Sequence, residues 1–207
     1  MINKLDQLRI SIPIRQMFAK CYLIEQNRIC FLYTRNEFSY EYETAVGRNH
    51  EVPLSGLFVV AFCNLPRLVM QVYLFCTGLE MLCFCNLRPD VLNNQINVAF
   101  VALGLCPDQQ DIKQLRTRYP FANFNCVFGN DLLGKVLDCK VAMWYHDRDL
   151  STLCDGTTVI FKYENKVIRL NADRVSLDIF KRTMRLKTNI KTLKPAGGFI
   201  SFLAKHQ

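Results

Sequence analysis

Six basic side chains lie within fourteen residues near the carboxyl end of the chain, with no acidic side chain among them. They are Lys181, Arg182, Arg185, Lys187, Lys191 and Lys194. Lysine and arginine at this density neutralise the phosphates of a polyanion such as nucleic acid. We therefore predict that these six side chains contact phosphates.

The net charge of the chain is concentrated in the same region. The 207 residues carry a formal charge of +8. Residues 161–207 hold 11 basic and 3 acidic side chains, whereas residues 1–160 hold 15 of each. A basic end on a neutral body favours a nucleic-acid partner. The alternative is a solvated basic surface without a dedicated partner.

Motifs of the common catalytic classes do not occur in the sequence. The three histidines, His50, His146 and His206, are far apart, and there is no Gly-x-Ser-x-Gly, Walker loop or His-Glu-x-x-His. The charged run 146–149 is typical of a solvated loop. None of the ten cysteines forms a Cys-x-x-Cys pair, and most lie in apolar runs. We expect free, buried thiols in a reducing compartment, and no zinc site.

The middle of the chain has alternating strand and helix patterns, and these elements would position the side chains of any site there. Buried strands are predicted at 69–75, 97–105 and 124–128, and the helices that follow them at 79–87, 108–119 and 132–145. Three such units in succession imply a parallel sheet with helices on its faces.

Smaller elements flank this α/β core. Before it, an apolar stripe predicts a helix after Ser11 that extends to Cys21 and Tyr22, and 29–33 with 38–43 predicts a hairpin. The elements predicted after it are a hairpin of 157–163 with 166–170 and an amphipathic helix over 176–186, capped by Ser176. We divide the chain into an N-terminal α+β element (1–66), an α/β core (67–150) and a basic C-terminal extension (151–207).

The ends of the predicted strands are where a ligand site would lie, because ligands gather at the carboxyl ends of strands in an open parallel sheet. These ends read Cys76-Thr77-Gly78, Leu103-Gly104-Leu105 and Gly129-Asn130-Asp131. An Asn-Asp pair before a helix is also an ordinary N-cap, and Thr77-Gly78 an ordinary strand end. Both interpretations stay open at this point.

Residues 69–145 resemble the Toprim domain of primases, topoisomerases and related nucleases. VYLFCTGLEML is similar to the strand and Glu-Gly-x-x-Asp-Ala-Leu of that family, and NCVFGNDLLGKVLDCKVA to its strand, Asp-x-Asp-x-x-Gly and helix. VAFVALG and QDIKQLRTRYP resemble the middle unit of the primase-like members. The resemblance implies a small parallel sheet flanked by helices.

The family holds magnesium with a glutamate and paired aspartates, because a hard cation needs several convergent carboxylate oxygens for phosphoryl transfer. In this chain Thr77 stands at the glutamate and Met81 at the aspartate four residues on. Gly129 replaces the first paired aspartate, whereas Asp131 matches the second. The degenerate motif positions are Thr77, Gly78, Met81, Gly129, Asn130 and Gly134, of which Gly78 and Gly134 keep the turn glycines.

Glu80 is the nearest substitute carboxylate, about one helical turn from Thr77. One matching aspartate does not support two-metal chemistry, so we expect no cofactor. A binding protein is favoured over an enzyme for the same reason. Magnesium at Asp131 and Glu80 is the expectation of the enzymatic alternative.

Three functions remain. The first is a non-catalytic Toprim-like nucleic-acid-binding protein, an accessory to DNA replication or a mobile element, with Tyr163, Phe180 and Phe199 stacking on bases if the strand is single. The second is a magnesium-dependent primase-like enzyme or nuclease. The third is a protein-interaction module that docks the sheet end or residues 199–203 on a replication or mobilisation protein. The charge distribution favours the first function, and the missing carboxylates disfavour the second.

The chain has neither an apolar run of the ~18 residues that a membrane helix needs nor an N-terminal signal-peptide pattern. We expect a cytoplasmic protein that does not enter a membrane.

Overall fold

The computed structural model describes residues 3–36 and 39–206, apart from the side chain of Asn36. The described chain is a mixed α/β structure with three β-sheets. Phe38, the first residue of a predicted strand, lies outside the described residues. Within the described ranges, no helix has both the length and the apolar character required to cross a membrane.

The N-terminal part forms a four-stranded antiparallel sheet in the order β1-β2-β3-β4. Its elements are α1 (Lys4–Gln7), α2 (Ile12–Met17), β1 (Leu23–Glu25), β2 (Arg28–Asn36), β3 (Ser39–Val46) and β4 (Asn49–Glu51). The predicted hairpin is confirmed as β2 and β3, which pair Phe31 with Glu43. The predicted helix after Ser11 is shorter than expected, because it is capped at Phe18 and leaves Cys21 and Tyr22 beyond it.

The central part alternates strands and helices, as predicted. Its elements are β5 (Phe58–Ala61), β6 (Gln71–Phe75), α3 (Gly78–Leu87), β7 (Val98–Ala102), α4 (Gln109–Arg118), β8 (Asn123–Cys126) and α5 (Leu132–Trp144). Side chains at the predicted strand ends cap two of the helices: Thr77 caps α3 and Asp131 caps α5.

The C-terminal part contains a three-stranded antiparallel sheet, a helix and one short strand. These elements are β9 (Ser151–Asp155), β10 (Thr158–Tyr163), β11 (Lys166–Asn171), α6 (Leu177–Met184) and β12 (Lys191–Thr192). The predicted hairpin is confirmed as β10 and β11, and β9 adds a third strand to it. The predicted helix cap is also confirmed, since the Ser176 hydroxyl accepts the N–H of Ile179. Short 3-10 turns cover Pro66–Leu68, Pro89–Leu92, Gln95–Asn97, Ala172–Arg174 and Ala204–His206.

The central sheet has the order β12-β8-β6-β7-β5. The three predicted strands β6, β7 and β8 are parallel, as is β12 against β8, whereas the edge strand β5 runs antiparallel to β7. The edge strands come from the segments before and after the three predicted units. The C-terminal extension is thus hydrogen-bonded into the central sheet.

Two hydrophobic cores cover the two faces of this sheet. Every residue of β7 is buried, and its side chains alternate between the cores: Ala99 and Val101 face one, Phe100 and Ala102 the other. Helices α4, α5 and α6 contribute to the first core, and α1, α2, α3 and the N-terminal sheet to the second. The first three of these helices carry seven of the nine basic side chains found in α1 to α6, so these seven lie on one side of the sheet.

Candidate functional site

A cleft of about 250 Å³ lies at the carboxyl ends of β6 and β8. Seven residues of the predicted strand ends and degenerate motifs line it, namely Cys76, Thr77, Glu80, Leu105, Gly129, Asp131 and Gly134. The topology thus brings the predicted strand ends together. It also adds His50 from β4 and Ser201 from the C-terminal segment.

Asp131 and Thr77 each satisfy a helix start. Asp131 Oδ1 accepts the N–H of Gly134 at 2.8 Å, and Thr77 Oγ1 accepts the N–H of Glu80 at 3.0 Å. An N-cap of this kind contributes about 1 kcal/mol to stability. The capping interpretation of both residues is confirmed.

The two retained glycines are required by close packing. A Cβ on Gly134 would lie 2.1 Å from the carbonyl oxygen of Gly129, and a Cβ on Gly78 would lie 2.7 Å from the ring of Phe31. Both positions are therefore closed to larger residues for steric reasons.

Met81 and Asn130 do not line the cleft. Met81 is fully buried in the core between α3 and the N-terminal sheet. Asn130 is exposed, and its backbone N–H donates to the carbonyl of Ile200. Met81 is thus a packing residue, and Asn130 ties the C-terminal segment to the start of α5.

Sequence reasoning missed Glu43, a carboxylate of β3 that is fully buried beside the cleft. It accepts the hydroxyl of Tyr33 at 2.7 Å and the N–H groups of Gly78 and Leu79 at 2.6 and 3.1 Å. His50 Nε2 lies 2.8 Å from its second oxygen. A carboxylate at the first N–H groups of α3 is favoured by the helix dipole. Strand alternation places Glu43 on the inward side with Ala45, but the sequence does not indicate that this face meets α3.

Glu80 is a nearly buried carboxyl in the same cleft. The pKa of Glu80 is raised to about 7, first by burial and then by the neighbouring carboxylates of Glu43 and Asp131. His50 and the hydrogen-bonded hydroxyl of Ser201 act in the opposite direction. Glu80 is therefore largely protonated below neutral pH.

The side chains of this cleft do not fit a magnesium ion. The Glu43 carboxylate already has four hydrogen-bonding neighbours, and Asp131 is committed to capping α5. Glu80 resists ionisation. Over residues 3–36 and 39–206 there is no group of three histidine, cysteine, aspartate or glutamate side chains arranged to hold a metal ion. We derive no chemistry through such an ion.

Three of the six predicted phosphate ligands make internal contacts. Arg182 Nε donates to the carbonyl of Asp178 at 3.3 Å, although the residue is exposed. Lys181 Nζ donates to the carbonyl of Ile190 at 2.8 Å. Lys194 Nζ lies 2.7 Å from the buried carboxylate of Asp138 and donates to the carbonyls of Phe128 and Gly129 at 3.1 and 2.9 Å. Both ammonium groups therefore serve the fold. Burial raises the pKa of Asp138 to about 7 even though Lys194 opposes the shift.

Four of the six predicted ligands are exposed: Arg182, Arg185, Lys187 and Lys191. Arg182 lines a groove of about 550 Å³ together with Arg169 and Arg174, which sequence reasoning did not select. This arginine groove runs between β11, the turn after it, and α6. Its described lining contains no carboxylate; the other lining residues are Leu170, Asn171, Ile179 and Thr183.

The other sequence candidates lie apart from this groove. The ring of His206 lies 3.3 Å from the carbonyl of Cys83, and His146 follows α5. All ten cysteines are free thiols, five of them buried. No family model, curated protein or solved structure matches this chain.

Proposed function

We propose that this chain is a non-catalytic nucleic-acid-binding protein that contacts phosphates through the arginine groove. The observation that carries the proposal is that Arg169, Arg174 and Arg182 line one groove whose described lining contains no carboxylate. They come from a strand, a turn and a helix, so the fold assembles them.

Arginine is suited to this role for a geometric reason. The planar guanidinium presents several N–H donors in a fork that matches two oxygens of one phosphate. Asn171 and Thr183 add hydrogen-bonding side chains to the same groove. A groove of about 550 Å³ has room for a phosphodiester and its sugar.

Exposed cations extend this surface along the chain. Arg185 follows α6 in the left-handed conformation, at φ 51°, and Lys187 and Lys191 come after it. All three side chains are exposed. We include them with Arg182 in the proposed footprint and leave out Lys181 and Lys194, whose ammonium groups are used inside the protein.

The non-catalytic part of the proposal is supported by the cleft at the strand ends. Two of the carboxylates at the cleft accept N–H groups at helix starts, and the third, Glu80, has a raised pKa, so they do not present the convergent anionic oxygens that magnesium-dependent phosphoryl transfer requires. An accessory role in DNA replication or in a mobile element, as a degenerate Toprim-like protein, is the context we propose from the resemblance of residues 69–145.

The test is fluorescence anisotropy with labelled single-stranded DNA, duplex DNA and single-stranded RNA. We compare the natural chain with a variant that combines Arg169→Ala, Arg174→Ala and Arg182→Ala. The matched control removes three exposed cations elsewhere, through Lys20→Ala, Arg28→Ala and Arg67→Ala. We expect the groove variant to lose at least tenfold in affinity and the control to lose less than threefold, since net charge alone acts weakly at a distance. Equal losses would remove the groove from the proposal, and no binding by the natural chain would remove the proposal itself.

A further inference from the structure

A second groove, of about 320 Å³, lies between the end of α4 and the segment that follows α5. We call it the α4 groove. Its lining includes Lys113, Arg116, Tyr119, Tyr145 and Asp147. None of these residues belongs to the arginine groove or to the cleft at the strand ends.

Arg116 is held in place at this groove. Its guanidinium lies over the ring of Tyr145, 5.1 Å from the centroid, and donates to Asp147 Oδ2 at 2.8 Å. Lys113 is exposed beside it, and its charge also acts on Asp147. The guanidinium is thus pre-oriented toward an oxyanion, and in the free protein that oxyanion is an exposed carboxylate.

The electrostatic field around the α4 groove is positive. The pKa of Asp147 is lowered mainly by its hydrogen bond from Arg116 and further by the charges of Arg116, Lys113 and His146. The pKa of His146 is also lowered, first by burial and then by Arg148 and Arg116. A hydrogen bond to the backbone of Lys187 and the charge of Asp147 oppose that second shift.

One buried polar atom of a lining residue has no hydrogen-bond partner. Among the described side chains, three buried polar atoms are unpartnered, and one of them is Tyr119 Oη. Tyr119 lines the α4 groove. An unpartnered buried polar group is costly and marks a place where a ligand or its ordered water is expected.

We infer that the α4 groove binds a phosphate group, with Lys113 and Arg116 as its cationic contacts. The phosphate takes the place of Asp147 on the guanidinium of Arg116, and its hydration water supplies a hydrogen-bond partner to Tyr119 Oη. Asp147 therefore acts as a competitor that occupies Arg116 while the groove is empty. The phosphate belongs either to a free nucleotide or to a nucleic-acid backbone, and the chemistry of the contact is the same.

The first experiment measures the binding of adenosine monophosphate to the full chain by isothermal titration calorimetry, with adenosine as the control without phosphate. We expect binding of the monophosphate only. The combination of Lys113→Ala and Arg116→Gln weakens it at least tenfold, because it removes both cationic contacts. Asp147→Asn strengthens it about three- to tenfold, because Arg116 is released and a negative charge is removed.

The Asp147→Asn variant keeps the test decisive if loss of the Arg116 contacts disturbs the fold. A purely structural role of the Arg116–Asp147 pair predicts weaker or unchanged binding in that variant. Absence of monophosphate binding, equal binding of adenosine, or no gain in Asp147→Asn would each overturn the inference.

A second arm identifies the source of the phosphate. A twelve-nucleotide DNA strand without terminal phosphates is titrated against the same variants. Weaker DNA binding by the Lys113/Arg116 variant supports a backbone phosphate in the α4 groove, whereas loss of monophosphate binding alone supports a free nucleotide. The arginine-groove variant is expected to bind the monophosphate normally, so the two proposals fail separately.

Discussion

Glu43 is the side chain that connects the N-terminal sheet to the helix at the strand ends. Its carboxylate is fully buried and receives the first two N–H groups of α3, the Tyr33 hydroxyl and the ring of His50. Loss of this side chain would leave several buried donors without an acceptor, which is costly. Glu43 is therefore a structural residue, and its replacement should lower stability.

We expect Glu43→Gln to lower the free energy of unfolding by about 2–4 kcal/mol. The glutamine amide has one acceptor oxygen, so its NH₂ group must face an N–H or hydroxyl donor. Urea unfolding measures the effect. Glu41→Gln on the same strand is exposed and serves as the control, with an expected change below about 0.5 kcal/mol. Equal effects of the two variants would show that Glu43 has no special role.

Glu80 gives stability a pH dependence with a definite sign. Its pKa is about 7 in the folded chain, above the ordinary 4.5, so the folded state holds the proton more tightly than the unfolded state. The stabilisation is therefore complete below about pH 4.5 and is lost as the pH rises through 7. The free energy of unfolding of the natural chain should decline between pH 5 and 8, and we expect Glu80→Gln to remove about 2–3 kcal/mol of that decline. Urea unfolding at each pH measures it. An undiminished decline in the variant would contradict this assignment. The pKa of Asp138 is also raised to about 7, so this residue should leave a remaining decline of stability with rising pH in the variant.

In the basic C-terminal stretch, some lysines contact the protein interior and others are exposed to solvent. Strand β12 pairs in parallel with β8, and Lys194, two residues beyond it, reaches Asp138 on α5. Lys191 on the same strand points into solvent. Lys194 thus stabilises the fold, whereas Lys191 is available to a ligand. A variant of each lysine distinguishes the two roles.

Lys194→Ala should lower the free energy of unfolding by about 2–4 kcal/mol, because it leaves the Asp138 carboxyl buried without its partner. Thermal or urea unfolding at pH 8, where Asp138 is ionised, measures this loss. Lys191→Ala should change stability by less than about 0.5 kcal/mol and reduce DNA affinity about two- to threefold. If the Lys191 variant is the less stable one, the division of tasks is wrong.

The elements of the core were predictable because they depend on local patterns. Strand β7 is an apolar run with every residue buried, and β6 and β8 lie in apolar stretches with mostly buried side chains. Helices α4 and α6 have apolar stripes with a capping side chain in front. The edge strands β5 and β12 were not predicted, since runs of four and two residues carry no measurable periodicity. Helix α2 was predicted too long because Cys21 and Tyr22 continue its apolar spacing, although the helix itself ends at Met17.

The site was predictable only in part, for a related reason. The helix caps at Thr77 and Asp131 join residues only three positions apart, so the local sequence was enough to predict them. The contact between Glu43 and the N–H of Gly78 joins residues 35 positions apart, and the sequence contains no trace of it. Arg169 and Arg174 belong to the basic segment, but only the packing of β11 against α6 puts them beside Arg182.

At the scale of the whole molecule, both basic grooves use helices from one side of the central sheet. Helices α4, α5 and α6 pack on the same side of the central sheet, and the arginine groove and the α4 groove are both built on this helical layer. The sequence indicated a basic end, whereas the fold also places cations of α4 in a groove.

We expect magnesium to weaken the binding of nucleic acid. A divalent cation competes with the protein for phosphates, and the cleft carboxylates offer no site that would make the ion a bridge. Anisotropy titrations with and without 5 mM magnesium chloride, at about matched ionic strength, check it. Tighter binding with magnesium, abolished by Asp131→Asn, would revive the primase-like or nuclease alternative.

The central claim is tested most directly by the salt dependence of DNA binding in the arginine-groove variant. For the natural chain, the logarithm of the association constant should fall steeply with the logarithm of the salt concentration. Removal of Arg169, Arg174 and Arg182 should reduce that slope by about two to three units, close to 0.9 for each lost phosphate contact on duplex DNA. The Lys20, Arg28 and Arg67 control should keep the natural slope. An unchanged slope in the groove variant, or the same reduction in the control, would contradict a phosphate-binding groove at α6.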